Sequence, residues 1–148
     1  MRRAIFGAVF TVVAALAGAA WADWYEPARG SAERRALMDA IRPTAEKLFG
    51  KPVEFIVGEL RVSGDVAFAE VVAQRPGGGQ IDIHSTPGWR ANHFFEDADN
   101  LSGQALLQRK GGRWVARYET FGATDVWWQS RENCAIWRAV IAEVCDGY

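Results

Sequence analysis

Side chains able to ligate a metal or move a proton gather in one stretch of this chain: Asp82, His84, His93, Glu96, Asp97 and Asp99. If His93 and Glu96 fall on one helical turn, their i,i+3 spacing sets two ligands on one face, and His84 or Asp99 would complete a site. Asp82 and His84 are also residue types suited to acid–base work. The chain has neither an HExxH motif nor a cysteine–histidine ligand spacing. An Asp-Ala-Asp-Asn run is equally how a solvated loop is built, and a solvated loop without a bound metal or cofactor is the expectation.

Other chemistries leave less trace. No Gly-x-Ser-x-Gly elbow occurs, and Ser63 and Ser85 read as turn residues. The two cysteines, Cys134 and Cys145, lack Cys-x-x-Cys spacing. In an exported chain their even number favours a disulfide. Eleven residues of unbroken helix would part them by about 16 Å, beyond bridging reach. Either the chain turns back between them or they do not pair. A glycosidase-type carboxylate pair is defined in space, not in sequence.

Aromatic residues are the second feature, with tryptophans at 24, 89, 114, 127, 128 and 137 beyond the N-terminal segment. Tryptophan and tyrosine build flat platforms for sugars and grooves for peptides. Trp114 and Trp137 lie on apolar faces and are expected in the core. Trp127 and Trp128 are adjacent, so regular structure points them apart and one is a candidate to line a cleft. Trp89 sits in a polar stretch and is the candidate exposed contact.

The elements that must position these residues follow from periodicity. After an extended lead-in over 23–30, Ser31 is a candidate N-cap for a helix striped by Leu37, Ile41, Ala45, Leu48 and Phe49 and ending at Gly50. Pro43 predicts a kink or two abutting pieces. Val53, Phe55 and Val57 alternate, then Leu60 and Val62 continue on the opposite parity, predicting a strand with a bulge near Gly58. Ser63-Gly64-Asp65 makes a hairpin to a second strand through Val66, Phe68, Val71 and Val72. Ile81 and Ile83 predict a short third strand, followed by a long polar loop from His84 to Asn100. Ala105, Leu106 and Leu107 resume a strand. Lys110-Gly111-Gly112-Arg113 turns it into another, where Trp114, Ala116, Tyr118 and Thr120 alternate against Val115 and Phe121. Trp137, Val140, Ile141 and Val144 stripe a terminal helix capped by Ser130.

The N-terminus carries an address. Arg2 and Arg3 precede an apolar run from Ala4 to Ala20, broken only by Thr11, and Ala20-Trp21-Ala22 is a small-x-small cleavage signal. The expectation is a cleavable signal peptide over 1–22, a single α+β domain over 23–148, and a periplasmic or secreted protein. The apolar run is short and alanine-rich for a bilayer span. No membrane association is expected after cleavage. The whole chain has a formal charge of −1. Two of its basic residues leave with the leader, so the exported part sits near −3, and no basic stripe suggests nucleic acid.

The order helix, hairpin, short strand, hairpin, helix implies α+β, with an N-terminal helix packed on a mostly antiparallel sheet of four to five strands and a short C-terminal helix. That order resembles the cystatin-like and NTF2-like architecture, which implies a curved sheet wrapped around the first helix. Locally, Asp39-Ala40-Ile41-Arg42-Pro43, Pro52-Val53-Glu54-Phe55 and Gly122-Ala123-Thr124-Asp125-Val126-Trp127 resemble segments of small secreted proteobacterial proteins of uncharacterised function. The cavity-forming resemblance implies that a carboxylate near the open end of the sheet, here Asp125, can act as a base. The residue itself reads as a helix cap. The expected function is binding of an envelope protein or small ligand. The alternative is a small cavity enzyme using Asp82, His84 or Asp125.

Overall fold

In the computed structural model, which describes residues 23–94 and 101–148, the apolar stripe is the face that α1 (Ala32–Phe49) buries. Residues 1–22, with the expected leader and cleavage point, and Glu96, Asp97 and Asp99 lie outside the described residues. Ser31 Oγ accepts from Arg34 N at 3.1 Å, satisfying one of the free amides of the first turn. At the other end, Arg75 donates to the carbonyls of Phe49 at 2.8 Å and Pro52 at 2.9 Å. Pro43 does not divide the element: one helix runs through it to Phe49. Ile41 on one side and Ala45, Leu48 and Phe49 on the other are all buried, and packing on both sides of the proline outweighs its missing hydrogen bond.

Four strands form an open antiparallel meander in the order β1 (Glu54–Ser63), β2 (Val66–Gln74), β3 (Ser102–Lys110) and β4 (Arg113–Phe121). Both hairpins form where the glycines place them. In the second, Gly111 and Gly112 have φ of 56° and 75°, the pair of positive values that a tight hairpin turn matching strand twist requires. The expected strand at Ile81 and Ile83 does not form. Asp82 accepts from His84 N at 3.1 Å, and this local bond draws Ile83–Ser85 into a 3₁₀ turn. Thr86 then caps the short α2 (Pro87–Arg90). Ile81 and Ile83 still reach the core, as buried loop residues.

Two bulges decide which side chains face which layer. The first lies between Val57 and Glu59, as the parity change around Gly58 predicts. The second was not anticipated: Leu106 pairs with Tyr118 and Leu107 with Ala116, leaving Arg117 as the extra residue of β4. Trp114 and Ala116 face α1. Beyond the bulge Phe121 faces α1 instead, with its ring 5.4 Å from that of Phe49. Tyr118 turns to the opposite face, 5.9 Å from Trp137. The single alternation of Trp114, Ala116, Tyr118 and Thr120 is therefore broken in the middle of the strand.

Helices cover both faces of the sheet. Ala67, Ala69, Val71 and Ala73 of β2 pack towards α1, whereas Phe68, between them, packs with Leu106 against Trp137, Val140 and Ile141 of α3 (Arg131–Ile141). Ser130 caps α3 by accepting from Asn133 N at 3.1 Å, and Trp137 Nε1 donates to Leu107 O at 2.7 Å. After Ile141 a 3₁₀ turn over Ala142–Val144 reverses the chain. It brings the Cα atoms of Cys134 and Cys145 to 5.6 Å, where the two cysteines are disulfide-bonded. The result is an α+β domain with α1 on one face of the sheet and a short C-terminal helix on the other. No helix among the described residues is long and apolar enough to cross a membrane. Tyr25 bridges to Val62 on the outer edge of β1, while among the described residues nothing pairs with the outer edge of β4.

Candidate functional site

The side chains singled out by type do not converge. Asp82 and His84 form an exposed pair, Oδ1 to Nδ1 at 3.4 Å, with side chains 69% and 62% accessible. The His84 ring lies 4.3 Å from Trp89, which is half-buried against the core rather than presented as a free contact. His93 packs edge-on against Phe94 at 4.9 Å. Among the described residues no three His, Cys, Asp or Glu side chains come close enough to hold a metal ion, and Glu96 lies outside them. Asp125 is an exposed bend residue and caps no helix, because α3 begins six residues later behind Ser130. The adjacent tryptophans do not point apart as regular structure would make them: they lie in a turn and both pack against the cluster of Phe68, Leu106 and Trp137. Trp128 packs 5.4 Å from Phe68, and Trp127 stands perpendicular to it at 5.7 Å.

Trp127, packed on that cluster by one side, also lines a cleft of about 620 Å³ along the outer edge of β4. Thr44 of α1 forms one wall, residues 117–120 of β4 the floor, and Asn133 in the first turn of α3 the other wall. The bulge at Arg117 makes this arrangement. It sends Glu119 towards α1, where Thr44 Oγ1 donates to Glu119 Oε1, and it sends Tyr118 towards α3. Asn133 is itself fixed, its amide donating to Trp128 O at 3.1 Å, so the connection before α3 is tied to the helix it precedes.

Polar atoms in this region are buried without partners. Glu119 Oε2 and Trp127 Nε1 are both shielded from solvent and make no hydrogen bond. Gln104 Oε1 is in the same state on β3, directly across from Thr120 of the cleft floor. An unpaired buried polar atom costs about 1–3 kcal/mol, so such atoms concentrate where something else completes them. Burial pushes the Glu119 carboxyl above its ordinary pKa, partly opposed by the Thr44 hydrogen bond. A carboxyl so raised keeps its proton to higher pH and can then donate as well as accept.

Two other clefts are of similar size but differently furnished. Between α1 and the β3–β4 turn, Arg109 is neutralised by Glu33 at 2.5 Å and by Asp65 at 3.6 Å and lies 4.5 Å over the Trp114 ring, although its buried Nε makes no hydrogen bond. Between α1 and α2, the walls are Leu48, Pro87 and Gly88, with His93 at the margin and no unpartnered buried polar atom. Sequence reasoning reached Trp127 but missed Thr44, Arg117, Glu119 and Asn133. A signal did exist: Phe121 is apolar on the wrong parity for a strand that buries Trp114 and Ala116, which marks a bulge between them.

Compared with family models, curated proteins and solved structures, the chain matches none.

Proposed function

We propose that this protein is an exported binding domain that holds a small envelope ligand in the cleft on the β4 edge. The observation that carries the reading is the meeting of Glu119 Oε2 and Trp127 Nε1, buried and unpartnered, in the walls of one cleft. Both faces of the sheet are occupied by packed helices, a filled core rather than the deep chamber of a cavity enzyme. The acid–base alternative has less support, since Asp82 and His84 are exposed and neither they nor Asp125 line this cleft. Export agrees with the leader expected over 1–22 and with the Cys134–Cys145 disulfide, which persists in oxidising compartments.

Two measurements test the proposal. Intact mass of the exported protein should begin at Asp23; a membrane-bound species retaining residues 1–22 refutes the address. A thermal-shift screen of saccharides, short peptides and amino acids should give hits that stabilise the wild type and weaken in Trp127→Phe, because a ligand bound only by the folded state raises its stability. Hits indifferent to Trp127→Phe, or turnover of a screened compound that depends on His84, would refute binding at this cleft as the function.

A further inference from the structure

We infer that the ligand of this cleft is an acidic saccharide, a sugar chain bearing carboxylate groups; the inference rests on the binding reading above and specifies its chemistry. A pyranose ring has an apolar C–H face and a rim of hydroxyls, so its sites combine aromatic rings with short polar side chains. Tyr118, 53% exposed, and Trp127 supply the rings. Thr44, Thr120 and Asn133 supply hydroxyls and an amide along the same walls, and Trp127 Nε1 is a donor without an acceptor. The volume of about 620 Å³ suits a few sugar units.

Arg117 gives the cleft its sign. It is exposed on the cleft floor and, among the described residues, makes no ion pair and no side-chain hydrogen bond. A guanidinium left free in this way is a planar fork that matches a carboxylate with two parallel hydrogen bonds. Its neighbour Glu119 does not neutralise it, being turned into the α1 side against Thr44. On a chain of formal charge −1, a cation that among the described residues has no partner, set in a cleft whose lining includes the unpartnered Glu119 Oε2 and Trp127 Nε1, selects an anionic ligand. A peptide added as a fifth strand fits less well, because the bulge at Arg117 breaks the β4 edge midway.

The test titrates isotope-labelled exported protein with three probes: the trimer of galacturonic acid, the neutral trimer of galactose, and decaglutamate. The acidic trimer should shift the amides of residues 117–120, Trp127 and Asn133 and bind roughly tenfold more tightly than the neutral trimer. Arg117→Gln should bring the two trimers to the same affinity, and Trp127→Phe should weaken both. Equal binding of the two trimers to wild type overturns the acidic preference. Decaglutamate binding the cleft as tightly as the acidic trimer overturns the saccharide class while leaving the cleft a binding site. Shifts confined to other surfaces overturn both this inference and the reading it rests on.

Discussion

Replacing Gly103 by alanine should destabilise the protein far more than the loss of a glycine normally does. Gly103 lies directly across from Phe121, and a Cβ built on it would stand 2.4 Å from both Cδ1 and Cε1 of that ring. Carbon atoms rest at about 3.5–4.0 Å, so the ring must retreat by roughly 1 Å. It has little room to do so, being 3% exposed and wedged against Phe49 at 5.4 Å and Phe55 at 6.3 Å. Overpacking of a closed core costs about 1–3 kcal/mol, and a rigid aromatic ring held on two sides belongs at the top of that range. For a domain of this size about 3 kcal/mol lowers the melting temperature by about 10 °C. Gly58→Ala is the control, since its Cβ would meet Glu70 Oε1 at 3.5 Å, an ordinary contact, and it should shift stability by less than about 1 kcal/mol. Thermal unfolding of both variants, with Gly103→Ala/Phe121→Leu to relieve the clash, decides the matter. A Gly103→Ala protein melting within about 2 °C of wild type, or a double variant no better than the sum of its parts, would refute the steric argument.

Replacing both Cys134 and Cys145 by serine should cost about 3 kcal/mol by loop-closure entropy, read as a lowered urea midpoint; an unchanged midpoint would mean that packing alone holds the C-terminal turn. Ser130→Ala should cost about 1 kcal/mol through loss of the α3 cap, seen as faster amide exchange in the first turn of that helix. Glu119→Gln should be more stable relative to wild type at pH 7 than at pH 4. Below the ordinary value of 4.5 the carboxyl is neutral in both states. As pH rises towards the folded-state value, raised by burial, the unfolded chain releases its proton first and the wild type loses stability. A stability difference that is flat with pH or reversed contradicts that assignment. Zinc at modest excess should leave the melting temperature unchanged, and a rise of several degrees abolished by both His84→Ala and His93→Ala would restore a metal site.

What the sequence determined by itself was local. The stripe of Leu37, Ile41, Ala45, Leu48 and Phe49, the caps at Ser31 and Ser130, the glycine turns and the bulge near Gly58 each depend on residues a few positions apart, where backbone preference and periodicity act directly. The strand expected at Ile81 and Ile83 shows the limit of periodicity, because two alternating isoleucines weigh less than one hydrogen bond donated by His84 N–H to the Asp82 side chain.

Tertiary structure decided the rest, for reasons of distance and burial. Cys134 and Cys145 meet only because the chain reverses after α3, a turn that packing against Phe68 and Leu106 stabilises and helix periodicity does not announce. Thr44 and Glu119 are 75 residues apart and share a hydrogen bond because α1 lies across β4 just where the Arg117 bulge turns Glu119 inward. Clusters by type, such as Asp82, His84 and His93, were legible but dispersed and partly solvated, whereas the polar atoms that lack partners became visible only once their surroundings were in place. A side chain's type is written in the sequence; whether water, protein or nothing faces its polar atom is a property of the packed chain alone.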